Sequence, residues 1–115
     1  MTDTTEARLV YITTDGVEKA QAIGASLIQA RLAACVNIID GMRSMYRWQG
    51  EVAEAQETVL IAKTREALVA PLTDLVRELH SYDCPCVVAL PVTGGNPEFL
   101  DWIAAETADQ APLSS

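Results

Sequence analysis

The chain has 115 residues, with 8 Lys plus Arg against 16 Asp plus Glu, for a formal net charge of −8. Half of it is apolar and 21% is charged, which supports a packed core and excludes a disordered composition. That length fits one domain over residues 1–115, and the acidic balance argues against a nucleic-acid backbone or an anionic membrane as the main partner. No stretch reaches the roughly 18 uninterrupted apolar residues that span a bilayer. Met1 to Arg8 is polar and lacks the basic start and apolar run of a signal peptide, so a cytoplasmic protein is expected. The cysteines Cys35, Cys84 and Cys86 are odd in number. In a reducing compartment they read as thiols or metal ligands, not as a disulfide framework.

Arg8 to Thr13 reads as a first strand, carried by Leu9, Val10, Tyr11 and Ile12. Asp15 then looks like an N-cap, with Glu18 completing a capping-box pattern. The helix that follows places Val17, Ala20, Gly24, Leu27 and Ile28 on one face and ends near Ala30 to Leu32. Cys35 to Ile39 opens a second strand. Asp40-Gly41 could form a turn or a bulge in a longer strand, and the bulge is favoured because Ser44, Tyr46 and Trp48 alternate with Met45 and Arg47 immediately afterwards. Gln49-Gly50 supplies a tight turn. Thr58 to Lys63 is the returning strand, with the acidic, Ala-rich Val52 to Glu57 expected to be irregular or an edge.

Leu68, Leu72, Leu75, Val76 and Leu79 fit one face of a second helix, with Pro71 in its first turn or at a kink. Val87 to Leu90 is a fourth strand, entered after Pro85 and left at Pro91. Thr93 to Pro97 reads as a loop. Glu98 to Thr107 is a third helix with Phe99, Trp102 and Ile103 on one side. The core therefore runs over about residues 8–107, and the tail from Ala108 is expected to fray. The order β-α-β-β-α-β plus a terminal helix is that of an α+β, ferredoxin-like fold: two helices on one face of an antiparallel sheet, with an extended hairpin.

Several stretches resemble one family in order and spacing. Leu32-Ala33-Ala34-Cys35-Val36-Asn37-Ile38 matches the signature of the CutA divalent-cation-tolerance proteins. Ser44, Tyr46, Trp48 and Gly50 are similar to that family's S-x-Y-x-W-x-G hairpin, and Glu57, Lys63 and Thr64 to its strand end. His80-Ser81-Tyr82-Asp83 resembles its His-Pro-Tyr-Glu motif, and Leu100-Asp101-Trp102 its closing Leu-x-Trp. Ser81 stands in place of the usual proline and Asp83 in place of the usual Glu, which leaves that loop freer and its carboxylate shorter in reach. The resemblance implies a homotrimer with paired hairpins, an architecture shared with PII-type signalling proteins, and a role in metal-ion tolerance with copper the ion usually named.

The candidate metal ligands are Cys35, His80, Asp83, Cys84 and Cys86. Thiolates and imidazole suit copper, as Cu(I) or Cu(II), with zinc the alternative. Plainer readings stand beside each. Cys35 is also a small apolar residue packed on a strand, His80 a positive group at a helix end, and Cys84 and Cys86 an incidental pair at a strand entry. If Cys84-Pro85-Cys86 is extended, its two thiols point the same way and form a clamp. Tyr46, Trp48, Glu57, Lys63, Tyr82 and Trp102 form the cleft or interface set. The aromatic members suit burial against another subunit. Lys63 and Glu57 instead suit polar contacts in a cleft, with Lys63 toward a small anionic ligand as in a PII-like sensor.

No Gly-x-Ser-x-Gly elbow occurs, and Gly94-Gly95 lacks the strand-to-helix setting of a phosphate loop. The expectation is a non-enzymatic trimer without an organic cofactor that binds copper-type ions. Its alternatives are the PII-like sensor and a structural trimer that scaffolds a partner protein.

Overall fold

The structure is a computed structural model that describes residues 6–107. The tail expected to fray from Ala108 lies outside the described residues. Along the chain run β1 (Ala7–Thr14), α1 (Val17–Gln29), β2 (Cys35–Trp48), β3 (Glu51–Arg65), α2 (Val69–Leu79), β4 (Val87–Pro91) and α3 (Pro97–Glu106). The strands lie in the order β2-β3-β1-β4, and every neighbouring pair is antiparallel. This is the expected ferredoxin-like arrangement, with α3 added at the end.

Alternation along the strands sends one set of side chains toward the helices. Val10 and Ile12 of β1 and Leu60 and Ala62 of β3 close the core with Ala20, Ile23 and Leu27 of α1 and Leu72 and Val76 of α2. Gly24 lets α1 approach the sheet, since a Cβ there would meet Val36 Cγ2 at 3.0 Å and Leu60 Cδ1 at 3.4 Å. Pro71 sits in the first turn of α2, where its missing N–H has no helical partner to lose. A smaller cluster of Ala7, Leu100 and Ile103 seats α3 against β1.

The hairpin of β2 and β3 is longer than the rest of the sheet. The register shifts between Ile39 and Met42, so Asp40-Gly41 is the expected bulge. Gly41 takes φ +81, and the Asp40 carboxylate accepts from the Gly41 amide at 2.8 Å and the Thr58 hydroxyl at 3.0 Å. Gln49 and Gly50 turn the chain at φ 51 and 84. Val52 to Glu57, expected as irregular or an edge, is a regular part of β3 that pairs only with β2 and so forms an edge of the sheet. Ala53 and Ala55 pair there with Tyr46 and Ser44, and the cross-strand ladder overrides their weak strand preference.

Local readings fail in three places. Gly16, not Asp15, holds the N-cap of α1, and no side chain caps it. The Thr14 hydroxyl bonds the Gly16 carbonyl at 2.9 Å, and Asp15 accepts from the Ser81 hydroxyl at 3.3 Å. On α1, Ile23 takes the core position expected of Ile28, which is exposed. On α3 the buried stripe is Leu100 and Ile103, while Phe99 and Trp102 stack on each other outside, centroids 5.5 Å apart. In both helices a shift of about 100° per residue separates the buried stripe from its apolar neighbour, so the sheet decided which one was covered.

Candidate functional site

The chemistry gathers on the sheet face that the two long helices leave open. The register aligns Tyr11 with Ile61 and Val88, and Leu9 with Lys63 and Leu90. Val88 is 51% and Leu90 46% exposed in the single chain. After α2 the chain returns over the end of β1, and four side chains fasten it. His80, only 9% exposed, lies with Nε2 2.6 Å from the Thr13 carbonyl. Its Nδ1 accepts from the Tyr82 amide at 3.0 Å. An amide N–H only donates and a carbonyl only accepts, so the ring is the neutral Nε2–H tautomer. The Tyr82 ring stands 4.6 Å from the His80 ring, and its hydroxyl donates to Glu57 Oε2 at 2.8 Å. The Ser44 hydroxyl donates to the other Glu57 oxygen at 2.6 Å. Glu57 thereby ties the 80–86 loop to the hairpin.

These ties shape a cleft of about 780 Å³ between the hairpin and the loop. Tyr46, Trp48 and Glu57 line it from the hairpin, and Tyr82, Asp83, Cys84 and Cys86 from the loop. Burial first, and then the hydrogen bond and charge of Glu57, push the Tyr82 phenol well above its ordinary value. Burial also pushes the Cys86 thiol up, helped by Glu57 and opposed by a hydrogen bond from Thr13. Cys84 is exposed, Cys86 half-buried, and both are free thiols. The chain bends through residues 81–84, so the pair is not the extended clamp expected of Cys84-Pro85-Cys86.

The metal set divides. Asp83, Cys84 and Cys86 line the same cleft without converging as a metal group. His80 spends both ring nitrogens on the backbone. Cys35 lies across from Lys63 in the hairpin, with Lys63 Nζ 3.5 Å from its sulfur and hydrogen-bonded to Asn37. Among the described residues no group of three or more His, Cys, Asp or Glu side chains is placed to hold a metal ion. The cleft set divides too. Tyr46, Trp48, Glu57 and Tyr82 come together, while Lys63 sits with Cys35 and Trp102 stacks on α3.

Arg43, Thr13 and Ser44 also line the cleft. Ser44 was signalled by its two-residue spacing from Tyr46. Arg43 and Thr13 carried no signal, because each reads as an ordinary strand residue. A second hollow of about 820 Å³ lies between the start of α1 and the bulge, lined by Asp15, Glu18, Lys19 and Asp40, with Glu57 bordering both spaces.

Comparison with known proteins gives one consistent result. The family model described as CutA1 divalent ion tolerance protein matches residues 8–106. The chain is 48% identical over 99 residues to the divalent-cation tolerance protein CutA of Thermus thermophilus, covering 86% of this chain and 96% of that one. It is 44% identical to the chloroplastic CutA protein of Arabidopsis thaliana over 86% of this chain, and spans 54% of that relative's length. The crystal structure of CutA1 from Oryza sativa superposes with a TM-score of 0.89 at 42% identity, covering 93% of this chain and 99% of that one.

Proposed function

This chain belongs to the CutA1 divalent ion tolerance family, and from that premise we propose that it acts as a homotrimer in metal-ion tolerance, taking up a copper-type ion in the Tyr46–Tyr82 cleft. The observation that carries the reading is the presence of two free thiols, Cys84 and Cys86, in one cleft with Asp83. Thiolates are soft donors that suit copper or zinc, so the two thiols match such an ion in chemical type. A bound ion would supply charge and coordination there, and the chain's part is to present the thiols in the cleft that Tyr46, Trp48 and Tyr82 also line. The thiols require a reducing compartment, consistent with a cytoplasmic location.

The trimer is supported by the open sheet face and by the hairpin, where Met45 is 70% and Trp48 60% exposed in the single chain. Subunit contact would cover both the apolar face and the strand edges. The protein works by binding, without turnover. His80 supports this, since both its ring nitrogens are engaged and the imidazole is not free to act as a base toward Cys84 or Cys86. A second reading, a sensor of a small anionic ligand, is favoured by Arg43, which takes the cleft position expected of Lys63.

Native mass spectrometry of the reduced protein, alone and with Cu(I), Cu(II) and Zn(II), tests the proposal. A trimer carrying a whole number of ions per chain, lost in the Cys84→Ser/Cys86→Ser double variant, is the expected result. A monomer mass, or adducts indifferent to both thiols, would overturn it.

A further inference from the structure

We propose that Cys35 and Lys63 form a modification site for hydroperoxides, at which oxidation joins the Cys35 sulfur to the Lys63 nitrogen as a reversible sulfenamide. The proposal stands apart from the metal reading, because the pair lies outside the cleft. Cys35 opens β2, and Lys63 stands directly across from it on β3. The Lys63 Nζ donates to the Cys35 sulfur at 3.5 Å and also to the Asn37 side-chain carbonyl. The Ala34 amide donates to the Lys63 carbonyl at 2.8 Å, which pins the two strands at this point. The ladder therefore holds a nucleophilic sulfur and a primary amine side by side. Reactive thiols are partly open and stand beside a cation. Cys35 is a half-buried free thiol with an ammonium on its sulfur, so it has both features. At Cys86 burial pushes the thiol up and leaves less of the nucleophilic thiolate. Lys63 also aligns with Leu9 and, through it, with Leu90 on the open face of the sheet. Hydrogen peroxide is close to water in size, so a half-buried sulfur on that face is within its reach.

The chemistry balances with peroxide as the oxidant. The Cys35 sulfur attacks one peroxide oxygen and the O–O bond breaks, giving the sulfenic acid and one water. Sulfur gives up an electron pair and the peroxide takes it. Lys63 releases its ammonium proton to solvent, and its nitrogen then displaces the sulfenic hydroxyl as a second water. An S–N bond forms in this condensation, with no further electron change. Sulfenic acids condense with a neighbouring thiol or nitrogen. Cys84 and Cys86 line the cleft, whereas the Lys63 nitrogen already touches the sulfur. The bond closes a loop of chain across 28 positions, which constrains the unfolded state, and it removes the Lys63 charge from the open face. A thiol that attacks the sulfur releases the amine and restores the site.

Peroxide treatment of the assembled, reduced protein tests the site, with intact mass and tryptic mapping without reductant as readouts. The Cys84→Ser/Cys86→Ser double variant is treated beside the wild type, so that a cleft disulfide cannot mimic the mass change. In the double variant the mass should fall by the two hydrogens removed. The peptides Leu32–Arg43 and Trp48–Arg65 should emerge joined, with cleavage after Lys63 lost, and thiol reductant should separate them. Lys63→Arg keeps a cation beside the sulfur but removes the primary amine. There Cys35 should gain oxygen and pass on to the irreversible sulfinic acid. Cys35 gaining oxygen in the double variant as readily as in Lys63→Arg would overturn the proposal. So would a link from Cys35 to any residue other than Lys63, or a Cys35 left unchanged while Cys84 and Cys86 of the wild type are oxidised.

Discussion

The two faces of the sheet are built by different physics. On the helix side, Val10, Ile12, Leu60, Leu72 and Val76 are fully buried, and packing alone accounts for their positions. On the cleft side, His80 is buried while Tyr82, Glu57 and Ser44 are half-open, and all are held by hydrogen bonds: His80 to Thr13 and Tyr82, and Tyr82 and Ser44 to Glu57. Removing a core side chain leaves a void that the close-packed surroundings cannot refill. Removing a cleft side chain leaves an unpaired polar group that water can partly reach. The first face should therefore carry stability, and the second should carry geometry.

Three substitutions test that division, from the largest expected effect downward. Leu72→Ala should cost about 2–5 kcal/mol in urea unfolding with an unchanged denaturant slope. His80→Ala should cost about 2 kcal/mol, because the Thr13 carbonyl and the Tyr82 amide both lose a buried partner. A loss as large as that of Leu72→Ala would break the comparison by making the cleft face a second core. Tyr82→Phe should cost about 1 kcal/mol near neutral pH, through the lost bond to Glu57.

That last effect has a pH signature. The Tyr82 phenol is raised in the fold above its ordinary value of 10.0, so its contribution is complete below that pH. Above it the unfolded chain loses the proton that the folded chain keeps, and the contribution falls as pH rises. The gap between wild type and Tyr82→Phe should therefore narrow in alkaline unfolding curves. A gap constant to high pH would show that Tyr82 is held by packing instead, and would sharpen the comparison in the other direction.

The sequence alone determined the element order, the antiparallel ferredoxin-like class, the bulge at Asp40-Gly41, the turn at Gln49-Gly50 and the family. Each is a local or patterned property: a period, a glycine with positive φ, a motif read in register. The clustering of Tyr46, Trp48, Glu57, Tyr82, Cys84 and Cys86 was legible in part, since strand alternation and motif spacing pointed to most of these residues. Only the tertiary structure decided which apolar stripe of α1 and α3 is covered, because neighbouring stripes on a helix differ by a rotation that the sheet selects. It also moved His80 from ligand to backbone tie, separated Cys35 and Lys63 from the cleft, and brought in Arg43. Those outcomes depend on which groups meet across long stretches of chain, such as the 67 residues between Thr13 and His80. No local spacing encodes them; they follow from how the sheet folds the chain back on itself.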